Sequence, residues 1–312
     1  MRLTMLLRAA ALLLAAHAQG AVAAAPTAPA APPMTLYAAG DIANCGKQAP
    51  SYSGAAATAE LIAQQLRDDA SAVVLALGDL TYPRGRLAEF TGCYQATWGR
   101  FKQKTYPTPG NHEYATPGAA GYFAYFGAQA GPGYYRFTLG TWQLYSLNSN
   151  LDAAGSAAQL SWLRRELADH PASCILAYWH HPMYSSGFKG VDPRMRPAWE
   201  TLMEAGAALV LSGHDHIYER FGRQDGAGRA DRVRGIRQFV VGTGGAYPTP
   251  LLLPLPNSEA RDSNRMGVLK LVLRDGGYAW TFLPTAPDPL FRPDHGSAAC
   301  HNDGSTKWMT TE

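Results

Sequence analysis

Ala72-Val73-Val74-Leu75-Ala76-Leu77 is an uninterrupted apolar run that stops at Gly78-Asp79. Successive side chains of a strand point to opposite faces, so six apolar residues without alternation need cover on both sides. A second run, residues 174–179, stops at His180. Shorter runs over 36–39 and 207–211 stop just before Gly40-Asp41 and Gly213-His214. Helical stretches lie between them, at 55–67 with Leu61, Ile62 and Leu66 on one side, and at 195–205. Doubly covered strands alternating with helices imply a layered α/β architecture with a largely buried sheet.

The rest of the pattern agrees. Residues 134–139 and 142–147 flank Gly140-Thr141 as a hairpin of the Gly-X kind. Ser156 and Gln159 have capping-box spacing and predict the start of a helix carrying Leu160, Leu163 and Leu167. Residues 238–241 read as a strand, and 268–273 with 278–282 as a hairpin around Asp275-Gly276-Gly277. The stretches 222–235 and 248–263 and the tail after Pro284 read as exposed loops. Gly242-Thr243-Gly244-Gly245 lacks a complete glycine fingerprint and reads as a turn lining a cleft.

The first residues stand outside the fold. Arg2 and Arg8 flank a short apolar run, and Ala21-Val22-Ala23 fits a small-residue cleavage site. The run falls short of the roughly 20 residues that span a bilayer. Residues 1–23 therefore read as a secretion signal rather than a stable membrane anchor. Residues 24–33 read as a Pro/Ala linker, and 34–312 as one catalytic domain. The net charge of +3 shows no basic run or aromatic-basic stripe, which argues against a nucleic-acid-binding surface.

Function is written where the strands stop. Asp41, Asp79, His180, His214 and His216 all follow strand ends, where ligand sites form in open α/β sheets. Asn111-His112 lies among them in a Gly-Asn-His-Glu loop. Taken singly, an Asp after a strand is an ordinary cap or turn residue. Gly213-His214-Asp215-His216 is harder to dismiss, since alternate residues of extended backbone present two imidazoles to one side. No G-x-S-x-G elbow, P-loop or H-E-x-x-H motif offers a rival catalytic set.

The ordered set resembles the calcineurin-like metallophosphoesterases, most closely their purple acid phosphatase branch, with its five blocks D-x-G, G-D-x-x-Y, G-N-H-[DE], V-x-x-H and G-H-x-H. Here they stand as Asp41-Ile42-Ala43, Gly78-Asp79-Leu80-Thr81-Tyr82, Gly110-Asn111-His112-Glu113, Ala177-Tyr178-Trp179-His180 and Gly213-His214-Asp215-His216. Ala43 and Ala177 depart from the pattern at positions that supply no ligand in the family. The resemblance spans roughly residues 35–285. It implies an α/β/β/α sandwich with mixed sheets and a metal site at strand C-terminal ends.

Carried over residue by residue, the resemblance gives one metal Asp41, Asp79, Tyr82 and His216. It gives the second Asp79, Asn111, His180 and His214, with Asp79 bridging. The first set is hard and anionic and suits Fe(III); the second suits Fe(II), Zn(II) or Mn(II). Two such ions about 3.5–4 Å apart orient a phosphate and lower the pKa of water, so the implied activity is hydrolysis of small phosphate monoesters by metal-hydroxide attack. His112 is the expected proton donor to the leaving oxygen, with the orienting of a metal-bound group as its alternative, and Glu113 reads either as an orienter of His112 or as a helix-start residue. The larger plant members carry a His-His pair some nine residues past the fourth block. Here that stretch is Phe188-Lys189-Gly190, which leaves Lys189 or His181 to take part of the role. A phosphodiesterase or nucleotidase with the same centre is the alternative within this chemistry. A non-catalytic, metal-stabilised binding protein is the alternative outside it.

Four cysteines, Cys45, Cys93, Cys174 and Cys300, fit two disulfides in an exported protein, and three pairings are open. Cys45 and Cys93 each follow a candidate metal-site loop. The expectation is therefore Cys45 with Cys93, and Cys174 with Cys300. The segments 183–194 and 248–263 are expected to shape the pocket.

Overall fold

A computed structural model describes residues 31–46, 48–286 and 288–301. The expected signal at 1–23 and most of the linker lie outside the described residues, as do residues 302–312. Among the described residues no helix is long and apolar enough to cross a membrane.

Among the described residues thirteen strands form two sheets. The first takes β1 (Met34–Ala39), β2 (Val73–Leu77) and β3 (Thr105–Thr108). The second takes β4 (Tyr135–Leu139), β5 (Trp142–Ser146), β6 (Cys174–Tyr178), β7 (Leu209–Ser212), β8 (Tyr218–Phe221), β9 (Arg237–Val241) and β10 (Ser258–Asp262). The chain then returns to the first sheet with β11 (Gly267–Arg274), β12 (Gly277–Pro284) and β13 (His295–Ala299). The strand orders are β13-β12-β11-β1-β2-β3 and β10-β8-β9-β7-β6-β5-β4. Both sheets are mixed. β1, β2 and β3 run parallel, as do β5, β6, β7 and β9, while β11 is antiparallel to β1 and β8 to β9.

Burial follows the apolar runs. In β6, Leu176 and Tyr178 join the core that contains Leu36 and Ala38 of β1, between the sheets. Ile175 and Ala177 point the other way, into a second core with Leu163 and Trp199 from the helices Ala153–Asp169 and Arg196–Glu204. The helix Gly54–Asp68 covers the opposite sheet through Ala55, Ala59 and Ile62, and Tyr37 reaches its Gln65 with a 3.2 Å hydrogen bond. The layers are therefore α/β/β/α. Both disulfides pair as expected, Cys45–Cys93 and Cys174–Cys300.

Two local expectations are corrected. Ser156 does not open its helix: the helix begins at Ala153, and Asp152 is the N-cap, accepting from the Gly155 N–H at 2.8 Å. Gln159 instead turns inward and bonds the backbone of Asn148 at both N–H and C=O. The stretches read as exposed loops around 248–263 and after Pro284 contain β10 and β13, both edge strands. Polar sequences such as Ser-Glu-Ala-Arg-Asp carry no strand signal because an edge strand needs no second buried face.

Candidate metal centre

The two sheets are joined at one end by the residues that follow their strands. The Gly40 N–H donates to the Val241 carbonyl of the other sheet at 2.8 Å. His180, after β6, places Nδ1 2.9 Å from the Leu77 carbonyl at the end of β2. Parallel register carries β1 and β2, and β6 and β7, to the same edge, so all their C-terminal turns meet there.

Those turns are strained. Asp41, Asp79 and His214 adopt φ of 59°, 50° and 71°, in the left-handed region that L-residues avoid. Each such residue costs on the order of 1–3 kcal/mol and persists where its surroundings fix it. Neighbouring glycines make the close approach possible. A Cβ on Gly213 would lie 2.6 Å from Asp41 Oδ2, and that same oxygen accepts the His214 N–H at 2.7 Å.

The structure brings all seven predicted ligand side chains together. Tyr82 Oη lies 3.1 Å from Asp41 Oδ1 and 3.2 Å from His216 Nε2, and His216 Nε2 lies 3.3 Å from Asp41 Oδ1. A second cluster surrounds His180 Nε2, with Asp79 Oδ2, Asn111 Oδ1 and His214 Nδ1 each at 3.2 Å. Asp79 groups with both Asp41 and His180, between the clusters. Donors about 2.1 Å from one ion lie about 3.0–3.4 Å apart at octahedral or tetrahedral angles, so both clusters have the spacing of a metal shell. The donor set fits two cations.

In His180 and His216 the other ring nitrogen is oriented by a backbone carbonyl. His216 Nδ1 lies 2.7 Å from the Tyr247 carbonyl, and His180 Nδ1 faces that of Leu77. A carbonyl can only accept, so each Nδ1 carries a proton and Nε2 is the ring atom turned toward the cluster. Asp41 and His180 are fully buried, and His112 stands at the open side with its side chain 34% exposed. His112 Nδ1 lies 2.6 Å from the Pro83 carbonyl, and its backbone N–H donates to Asp79 Oδ1 at 2.8 Å.

Glu113 takes the helix-start role of the two expected of it, capping the helix Asn111–Tyr114 through the Gly110 N–H, and it does more than that. Its buried carboxylate accepts the N–H groups of Asp79, Leu80, Thr81 and Gly110 at 2.9, 2.8, 3.3 and 2.7 Å and makes no contact with the His112 ring. It thus ties the second block to the third. Burial and the Asp79 charge push this carboxyl up, to about 8. All four facing groups are nevertheless N–H donors, which is the geometry of a carboxylate.

Burial and the Asp41 and Asp79 carboxylates set the electrostatics of the pocket. Burial would raise Asp79, but the charge of His180 holds it well below the usual carboxylate range. Burial would lower His180, and Asp79 raises it to about 9. Burial and the His180 charge push His214 down to about 3. Burial and the carboxylates of Asp41 and Asp79 drive the Tyr82 hydroxyl well above its ordinary value. A phenolate there requires a strong compensating cation.

His181 is buried beside this cluster, 2.8 Å from Ser149 Oγ, with its ring 4.4 Å from that of His214. Lys189 donates its backbone N–H to Asp215 Oδ1 at 2.9 Å and is exposed. The turn 242–245 is buried beneath Asp41 rather than open to the cleft: Gly244 donates to the Gly40 carbonyl at 2.9 Å. The orienting carbonyls of Leu77 and Tyr247 were beyond sequence reasoning, because any residue could supply them.

Comparison with known proteins agrees with this geometry. The family model for calcineurin-like phosphoesterase matches residues 34–218, more than half of the chain. Purple acid phosphatase 15 of Arabidopsis thaliana is 27% identical over 191 residues, 48% of this chain and 36% of that protein. The match thus spans little more than a third of that relative. A purple acid phosphatase from yellow lupin seeds superposes with a TM-score of 0.67 at 17% identity, over 86% of this chain and 54% of that one. The protein described as the anchor in the inner membrane complex of Plasmodium superposes with a TM-score of 0.64 at 15% identity, over 84% and 88%. At such identities the likeness is one of fold.

Proposed function

Since this chain belongs to the calcineurin-like phosphoesterase family, we propose that it is a secreted or periplasmic hydrolase of small phosphate monoesters, working through two metal ions. The observation that carries this reading is the pair of donor clusters sharing Asp79. Asp41, Asp79, Tyr82 and His216 would hold one ion, with Tyr82 favouring Fe(III). Asp79, Asn111, His180 and His214 would hold Fe(II), Zn(II) or Mn(II). When bound, such ions neutralise a phosphate dianion and supply hydroxide near neutral pH.

The chain's own residues do the rest. Asn111, His214 and His216 are partly exposed and border the side from which a phosphate enters. His112 stands there with Nδ1 bonded to Pro83, leaving Nε2 free to give a proton to the departing alcohol oxygen. Its Nε2 lies 3.8 Å from Asp79 Oδ2, close enough for the carboxylate to steady the imidazolium. The two disulfides support export, and residues 1–23 are the proposed leader.

The test is hydrolysis by protein loaded with iron and with zinc or manganese, assayed from pH 4 to 10 on a simple monoester, its diester and nucleotides. Preference for the monoester supports the proposal, and preference for a diester or nucleotide moves it to the related activity. No turnover of any ester by protein that holds two metals would leave a binding role for the same centre.

A further inference from the structure

Two segments outside the ligand set are fastened to the turn that carries His214 and His216. In the first, the Lys189 N–H donates to Asp215 Oδ1, and Gly187 lies so flat on Asp215 that an added Cβ would fall 2.6 Å from its Cγ. In the second, Tyr247 gives its carbonyl to His216 Nδ1 at 2.7 Å, and the Thr249 N–H donates to the His216 carbonyl at 3.2 Å.

The two segments are also joined to each other. Gly187 and Leu251 form an antiparallel bridge, and the Leu252 N–H donates to the Ser186 carbonyl at 2.8 Å. Ser186 in turn is held by buried Glu219, which accepts its N–H at 2.8 Å and its hydroxyl at 2.6 Å. Buried carboxylates thus fix this rim from below.

Apart from Lys189, its exposed side chains are apolar. Of nine large hydrophobic residues exposed among those described, five lie on these two short segments: Phe188, Val191, Tyr247, Leu252 and Leu253. Leu251 and Leu255 of the same segment turn inward and pack on the core, so its exposed neighbours are not needed there. Apolar side chains gathered on a braced rim mark a contact surface.

The rim's neighbour decides its occupant. His214 and His216 are partly exposed on the turn that both segments brace, so the alcohol of an ester held there would meet the rim. We infer that the apolar rim of 187–191 and 247–253 selects phosphate monoesters whose alcohol carries a bulky apolar group, preferentially aromatic. This rests on the monoesterase reading and deepens it. Contact between rim and alcohol is made before and during bond cleavage alike, so it acts on KM more than on kcat.

The experiment compares 2-phenylethyl phosphate with ethyl phosphate, whose alkoxide leaving groups are similar in basicity, so that contact rather than reactivity is read. Wild-type protein is expected to favour the phenylethyl ester by about tenfold or more in kcat/KM, chiefly through KM. In the double variant Phe188→Ala with Tyr247→Ala that ratio falls about tenfold. Val233→Ala, at an exposed apolar residue outside the rim, leaves it unchanged. Equal use of both esters by the wild type, or an unchanged ratio in the double variant, overturns the inference and leaves the monoesterase reading standing. Hydrolysis of neither ester by metal-loaded protein overturns both.

Discussion

A methyl group on Gly110 would sit 2.2 Å from Asp79 Oδ1 and 2.3 Å from the Asp79 backbone nitrogen. The third block lies directly against the residue proposed to bridge the two metals, and only a hydrogen fits between them. The obstruction includes backbone, so it cannot swing aside as the end of a long side chain would. Gly110→Ala is expected to displace Asp79 and lower metal content, with activity down at least about 100-fold. The stability cost is about 1–3 kcal/mol. Metal analysis of the folded variant checks this, and two full equivalents of metal at wild-type activity would refute it.

Glu113→Gln gives a second test. One carboxylate oxygen, and with it two of the four N–H contacts, is replaced by an NH2 group that cannot accept. Leaving buried N–H groups unpaired costs on the order of 2–4 kcal/mol. The midpoint of denaturant unfolding should fall accordingly, and metal affinity should weaken 10–100-fold through the displaced Asp79, as is typical of groups behind a ligand. His112→Ala is the contrast: lower activity, with metal content held.

These contacts explain how far the sequence could be read. Runs such as 72–77 announce themselves because both faces of the strand are buried. β3, β10 and β13 escape because they are edge strands or short; Pro107 is tolerated in β3 at the sheet edge. The site is legible because Asp and His side chains interrupt an apolar pattern at strand ends. Glu113 was visible as a residue, but its grip on Asp79, 34 positions away, arises only when β2 and β3 pair. The carbonyls of Leu77 and Tyr247 leave no mark at all, since the backbone is common to every residue.

The Cys174–Cys300 bond ties the start of β6 to the end of β13 across a sequence separation of 126. It lies at the opposite end of β6 from His180. Closing so long a loop restricts the unfolded chain strongly, worth about 3–5 kcal/mol. The variant Cys174→Ser with Cys300→Ser should therefore melt well below wild type while keeping its metal content and its KM at temperatures where it stays folded. A changed metal stoichiometry in that folded variant would show that this bond supports the site itself.

Protons offer the sharpest test of the centre. Without metal, Asp79 raises His180 from 6.5 to about 9, so the stability this His contributes is complete below about pH 6.5 and lost as pH rises through about 9. Asp79 is depressed below its ordinary 3.8, so its contribution is present above that value and lost as pH falls further. The pair thus favours metal-free protein at mildly acid pH. A metal at His180 must displace its proton, and an ion that takes Tyr82 as phenolate must displace another. Calorimetry at pH 7 in buffers of differing ionisation enthalpy should count about one proton fewer released on loading both sites of Tyr82→Phe than on loading the wild type. A visible absorption band should accompany iron loading and vanish in the same variant. Colourless, fully active wild-type protein whose proton release Tyr82→Phe leaves unchanged would remove iron and the phenolate from the first site, while the dinuclear centre itself would stand.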